Sequence, residues 1–197
     1  MTPAVLRRAE KHLAAADPVM AHLQTALGPC RLSVRPDPFV TLCASIIGQQ
    51  LSTRAAGTIR ARLETLLGGP PTAVSLVAAD VEALRGAGLS GGKVRYLQEI
   101  ATRSLDGRLD FTALWTLPDT DALACLTEVP GIGRWTAEMF LIFGLGRLDV
   151  FAPGDAGLRR AIRTLYGDDA PPDAVSALWA PYRSVASWYL WQHIDTD

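Results

Sequence analysis

The chain has 197 residues, 49% of them hydrophobic and 20% charged, which suffices for one good core or two small lobes sharing a cleft. A formal net charge of −1 argues against a strongly cationic, purely electrostatic nucleic-acid binder, although a protein that grips a few phosphates through backbone amides needs no cationic excess. No stretch offers the roughly 18 apolar residues of a membrane span, Arg7-Arg8-Ala9-Glu10-Lys11-His12 is no secretory h-region, and Cys30, Cys43 and Cys125 are odd in number and far apart. A reducing cytoplasm is the expected compartment, with no disulfide framework and no sequence-evident zinc or iron-sulfur site.

In chain order, helical periodicity covers residues 3 to 15, 18 to 27 and 38 to 48. Between the last two, Arg31-Leu32-Ser33-Val34-Arg35 alternates like a strand, but one short extended piece makes no sheet. Residues 52 to 67 place Ala55, Ala56, Ile59, Leu63, Leu66 and Leu67 on one side, with Ser52 as N-cap and Gly68-Gly69 as stop. Further helices are predicted over 91 to 105, 119 to 127, 134 to 144, 156 to 166 and 173 to 193. Lys93, at the start of one of them, is either a solvated residue or a phosphate contact. His12, His22 and His193 are unclustered and read as structural or surface residues. The pattern is all-α.

Glu128-Val129-Pro130-Gly131-Ile132-Gly133-Arg134-Trp135 joins two of these helices. Glycine lets a tight connection take positive φ and lets another backbone approach closely. The second helix then presents unpaired N–H groups and the positive end of its dipole, an anion site suited to phosphate, with Arg134 adding a cation. An ordinary helix-to-helix turn explains the glycines equally well. Twenty residues after Trp135 stands Asp155, in Pro153-Gly154-Asp155-Ala156-Gly157-Leu158. A lone Asp before a helix is usually an N-cap, a role compatible with catalysis.

The stretch from about 119 to 160 resembles the helix-hairpin-helix DNA glycosylase superfamily, with its L-P-G-[IV]-G hairpin, Gly-rich loop and single essential aspartate. Gly131-Ile132-Gly133-Arg134-Trp135-Thr136-Ala137-Glu138 and the final tryptophan-rich helix are similar to the 3-methyladenine DNA glycosylase II branch, and Ser45-Ile46-Ile47-Gly48-Gln49-Gln50-Leu51-Ser52 resembles its DNA-probing segment. The resemblance implies a two-lobed helical fold with the active site in the cleft between lobes. It maps one lobe to about 38–127, the other to 1–37 plus 128–197, and the hairpin to about 119–144, all within a single glycosylase domain lacking an amino-terminal sheet domain.

It also implies chemistry. Members that cut the strand carry a lysine two residues after the second hairpin glycine; here that residue is Trp135, so a monofunctional enzyme releasing an alkylated base and leaving an abasic site is expected. Asp155 would stabilise the oxocarbenium-like sugar and orient or deprotonate water. Trp135, Met139 and Trp191 would line the base pocket, where an indole attracts a cationic methylated purine by roughly 0.5 to 2 kcal/mol; Trp188 and Tyr189 read as core. Gly131, Gly133, Arg134 and Thr136 would contact DNA, as would the probing segment. Within that segment either Gln50 or Leu51 is the plug filling the vacated stack, and Ser52 is a minor-groove neighbour or simply an N-cap. A Na or K ion held by the carbonyls of Thr127, Val129 and Ile132 would bridge the hairpin to a phosphate; no other cofactor is required. The partner is double-stranded DNA containing alkylated bases, met by a monomer. The competing classes are a non-catalytic helix-hairpin-helix DNA-binding module, which has no reason to combine Asp155 with Trp135 and Trp191, and a helical scaffold with a coincidental turn.

Overall fold

Short polar side chains start most of the helices in the computed structural model, which describes residues 1–196. Among these residues every regular element is a helix, and the all-α reading holds. Thr2 begins α1 (Pro3–Ala16), Asp17 begins α2 (Pro18–Leu27), Asp37 begins α3 (Pro38–Gly48) and Ser52 begins α4 (Thr53–Leu67), each accepting a hydrogen bond from a first-turn amide. Thr72 and Asp80 do the same for the short α5 (Ala73–Ala78) and α6 (Val81–Gly86), and Ser90 for α7 (Gly91–Leu105). Asp110 caps α8 (Phe111–Leu114); α9 (Asp119–Thr127) starts at Pro118 and carries Asp119 and Asp121 in its first turn, the charge that the helix dipole favours there. α10 (Arg134–Phe143), α11 (Ala156–Tyr166), α12 (Pro172–Ala177) and α13 (Arg183–Thr196) complete the chain. No helix among the described residues is long and apolar enough to cross a membrane.

Two expectations need adjustment. The helix predicted over 173 to 193 is broken into α12 and α13, because Pro181 offers no N–H to the ladder and restricts the residue before it. On α4 the apolar side is narrower than its pattern suggests: Ala56 and Leu63 are buried, whereas Leu66 is 43% exposed.

The chain divides into two compact units, Met1–Val34 with Leu141–Asp197, and Arg35–Phe140. In the first, α1 and α2 pack on α13, and α13 on α11, around Leu13, Met20, Leu23, Ile162, Trp179 and Leu190. Two acids are built into this core. Asp17 caps Val19 through Oδ1, while its Oδ2 accepts from Tyr166 Oη (2.6 Å) and Trp179 Nε1 (2.8 Å). Glu10 Oε1 accepts from the Cys30 amide (2.6 Å) and from Tyr189 Oη (2.9 Å). Burial first, and then the facing carboxylates, push both phenols far above the usual tyrosine range, so they remain donors. Tyr189 is fully buried, in keeping with its reading as core.

In the second unit α7 is the central helix, packed by α3, α5 and α6, with α4 against α3 and α6. Leu42, Ile46, Leu76, Leu84, Leu97 and Ile100 fill it. Phe39, Phe111 and Phe140 form an edge-to-face row with centroids 5.9 and 6.1 Å apart, a favoured aromatic geometry. Cys30 in the first unit and Cys43 in the second are buried free thiols; Cys125 is an exposed one.

Candidate functional site

Val129-Pro130-Gly131-Ile132 forms a tight turn closed by the Ile132 amide on the Val129 carbonyl (3.0 Å), with Gly131 at φ 88°. Proline followed by a glycine of positive φ is the type II arrangement. The two hairpin glycines have different tasks. A Cβ on Gly131 would penetrate the ring of Tyr96, which α7 lays against the turn, whereas nothing lies within 4 Å of a Cβ built on the exposed Gly133. Gly131 is thus a packing requirement, and Gly133 leaves room beside the first amides of α10. Gly131→Ala should lose about 3 kcal/mol in urea unfolding, from left-handed backbone strain plus overpacking, while Gly133→Ala should stay within about 0.5 kcal/mol of the parent.

Arg134 opens α10 with its side chain 70% exposed and its Nε donating to Glu138 Oε1 at 2.8 Å; the Glu138 carboxylate is itself buried, which fixes the guanidinium at the helix start. Trp135 is 46% exposed, and Met139, half-buried, follows it by one helical turn. Thr136 is buried, with its hydroxyl accepting a hydrogen bond from Gln49. Thr127 ends α9 and donates through its hydroxyl to the Leu123 and Ala124 carbonyls.

A second tight turn follows α3. The Leu51 amide reaches the Gly48 carbonyl (3.1 Å), Gln49 sits at φ −53°, ψ 129°, and Gln50 at φ 58°. These are type II angles too, yet the position that favours glycine holds glutamine, at a cost of roughly 1 to 2 kcal/mol. Gln50 is the only described non-glycine residue of positive φ. It is exposed at the turn's tip beside Leu51, 39% exposed, and Ser52 follows as the N-cap of α4, accepting from the Ala55 amide. Backbone strain of this sort clusters at functional sites.

Two residues hold this turn. Gln49 Nε2 donates to the Gly131 carbonyl (3.0 Å) and to Thr136 Oγ1 (3.2 Å). Lys93 Nζ donates to the Ile47 and Gln49 carbonyls, both at 2.8 Å, satisfying acceptors that the end of α3 leaves over. Lys93 is therefore neither simply solvated nor directed at a phosphate. Desolvation moves its ammonium below the usual lysine range.

The other unit holds the carboxylate. Asp155 is 9% exposed and caps α11: its Oδ1 accepts from the Leu158 amide (2.8 Å) and from Trp191 Nε1 (3.1 Å). Trp191 lies on α13 with its ring 5.8 Å from that of Phe143. The approach of α13 to Asp155 depends on Gly157, where a Cβ would stand 2.8 Å from Ile194 Cδ1, 3.1 Å from Asp155 Oδ1 and 3.4 Å from Trp191 Cδ1. The loop leading to Asp155 is fastened to the start of α13. Arg183 pairs with Asp149 through Nε (2.8 Å) and Nη2 (2.9 Å), and Ser184 Oγ accepts from the Val150 amide at 3.0 Å. Motif reading singled out Asp155 and Trp191 without the hydrogen bond between them, and it passed over the close approach at Gly157, the tie made by Gln49 and the task of Lys93. Gly157 stands two residues after the aspartate, a spacing visible in the sequence whose need appears only once α13 is in place.

The model of the HhH-GPD superfamily of base excision DNA repair proteins matches residues 43–180. The chain is 30% identical over 197 residues to the alkylbase DNA glycosidase-like protein mag2 of Schizosaccharomyces pombe, covering 94% of this chain and 92% of that protein. A DNA-3-methyladenine glycosidase from Bacillus halodurans superposes with TM-score 0.85 at 40% identity, covering 93% of this chain and 88% of the other. The S. pombe 3-methyladenine DNA glycosylase Mag1, solved with abasic DNA, gives 0.82 at 32%, with 94% and 95% covered.

Proposed function

The chain belongs to the HhH-GPD superfamily of base excision DNA repair proteins, and from that premise we propose that it is a monofunctional DNA glycosylase of the 3-methyladenine DNA glycosylase II type. It flips alkylated bases such as 3-methyladenine and 7-methylguanine out of double-stranded DNA and hydrolyses the N-glycosidic bond. The observation that carries this reading is the buried Asp155, held by an indole N–H and a helix-start amide, in a chain with tryptophan where a strand-cutting relative has lysine. A non-catalytic DNA-binding module would have no use for that tether.

In the proposed reaction the hairpin grips one phosphate through amides at Gly131 and Gly133, with the Arg134 guanidinium beside them. Extruding the base costs a few kcal/mol by rough estimate, less when damage has weakened its stacking. Gln50, at the tip of the strained turn, fills the vacated stack with Leu51 next to it, and Ser52 lies towards the minor groove. Trp135, Met139 and Trp191 offer apolar and aromatic surface to the base. A base methylated at purine N3 or N7 is cationic, and it departs with the electron pair of the C1′–N bond as a neutral molecule, so no general acid is needed. The Asp155 carboxylate stabilises the oxocarbenium-like sugar, and as water adds to C1′ the same carboxylate accepts the proton that the water gives up. The enzyme works as a monomer.

The hairpin also fits a monovalent cation. Carbonyl oxygens are hard, neutral ligands, and Thr127 and Val129 stand at the negative end of the α9 dipole. A Na or K ion there would be held by the carbonyls of Thr127, Val129 and Ile132 and would supply attraction for a DNA phosphate.

Base release from duplexes carrying 3-methyladenine, 7-methylguanine or hypoxanthine tests the proposal. Free methylated base and an intact strand with an alkali-labile abasic site are expected. Borohydride present during turnover should trap no covalent adduct, because Trp135 offers no amine. Release of no base from any duplex would reject the glycosylase, and a trapped lysine adduct would reject the monofunctional assignment.

A further inference from the structure

The strained turn and the hairpin are joined by side chains that no role above requires. Gln49, inside the turn, sends both of its amide bonds to the hairpin: one to the carbonyl of Gly131, at the corner, and one to Thr136, on the first turn of α10. Lys93 reaches from α7 to the carbonyls on either side of Gly48, at Ile47 and Gln49. The same helix supplies Tyr96, whose ring packs on Gly131. One helix therefore supports the corner of the hairpin with an aromatic ring and the base of the turn with an ammonium, and Gln49 closes the circuit. All of these residues lie in the unit Arg35–Phe140.

We propose that Lys93 and Gln49 are positioning residues that lock the base-displacing turn to the phosphate-gripping hairpin, so that holding the backbone and filling the vacated stack are performed by one braced element. This inference rests on the glycosylase reading above. The physical logic is pre-organisation. A turn with glutamine where glycine is favoured tends to relax, and each relaxed conformer points Gln50 elsewhere. Lys93 opposes this by bonding the carbonyls that a relaxed turn would rotate away. Ordering the plug before DNA arrives removes an entropic cost from the step in which it enters the duplex. A lysine suits the task because its three donors rotate and can serve two carbonyls at once.

The brace predicts a particular split. Affinity for undamaged duplex depends on the hairpin's phosphate contacts, whereas the added affinity for an abasic-site duplex depends on a plug entering the gap. In the full-length protein Lys93→Met keeps much of the stem volume and removes the donors. It should lower the preference for abasic over undamaged duplex about tenfold, with affinity for undamaged duplex changed less than twofold. A 2-aminopurine beside the abasic site should report the same loss as reduced fluorescence change on binding. The second variant is Gln50→Asn, which tolerates the left-handed backbone while keeping a carboxamide at the turn's tip; in that background Lys93→Met should alter the preference by less than twofold. A general loss of folding would lower both affinities and would persist in the asparagine background, so either result would overturn the brace. An unchanged preference in Lys93→Met would overturn it too. Absence of any abasic-site preference in the parent protein would instead count against the glycosylase reading itself.

Discussion

Asp155→Asn should lower single-turnover base release by at least about a hundredfold while leaving lesion binding in place. The substitution is nearly isosteric, and the oxygen that accepts from the Leu158 amide and Trp191 Nε1 has a counterpart in the asparagine side chain. The α11 cap and the tether to α13 therefore survive. What disappears is the negative charge that, in the proposed mechanism, faces the sugar as it becomes oxocarbenium-like. Losing one preorganised electrostatic group of this kind costs on the order of 10² to 10³ in rate. The measurement is base release from a 3-methyladenine duplex with enzyme in excess, accompanied by affinity for an abasic-site duplex and a circular dichroism spectrum. Parent-like rates in a folded variant would remove Asp155 from the mechanism.

A large effect on stability is expected at a different aspartate. Asp17 is 2% exposed, and three donors converge on it: the Val19 amide at Oδ1, and Tyr166 Oη with Trp179 Nε1 at Oδ2. An ionised carboxylate is an acceptor on both sides, whereas an amide presents N–H groups on one. Either orientation of asparagine sets a donor against a donor, with the α2 cap or the Tyr166-Trp179 pair losing its acceptor. Asp17→Asn should cost about 3 kcal/mol in urea unfolding, the scale of a broken hydrogen bond to a buried charge together with an unsatisfied donor. Asp17→Ser, which can still cap α2, should be no better. A loss below about 1 kcal/mol for Asp17→Asn would mean that the buried network adds little.

The helix starts were legible because their signals are local. Ser52 before Thr53 and Asp155 before Ala156 each predict a cap from adjacent residues, and each caps as expected. α5, α6 and α8 escaped sequence reading because four to six residues show too little of a 3.6-residue period. Of the candidate site, the motif carried Asp155, Trp135 and the hairpin glycines. It could not carry partnerships between residues distant in the chain. Trp191 was assigned only an aromatic face, yet it also donates to a carboxylate 36 residues away. Gln49 pairs with Gly131 across 82 residues, and Lys93 with Ile47 across 46. Such contacts depend on which helices pack together, and no local period encodes that choice.

The buried cysteines bear on chemical self-protection. Thiolates are the form of cysteine that attacks electrophiles, including the methylating agents that damage DNA. Burial pushes the Cys30 thiol up to about 12, which leaves roughly one molecule in a hundred thousand as thiolate at neutral pH. Cys43 is shifted further in the same direction by deeper burial and by the charge of Asp37. Two of the three thiols are thus withheld from the reagents that would create the proposed substrates, and a methyl group on either would have to be accommodated in a filled core. Cys125, exposed on α9, is the thiol that such reagents meet first.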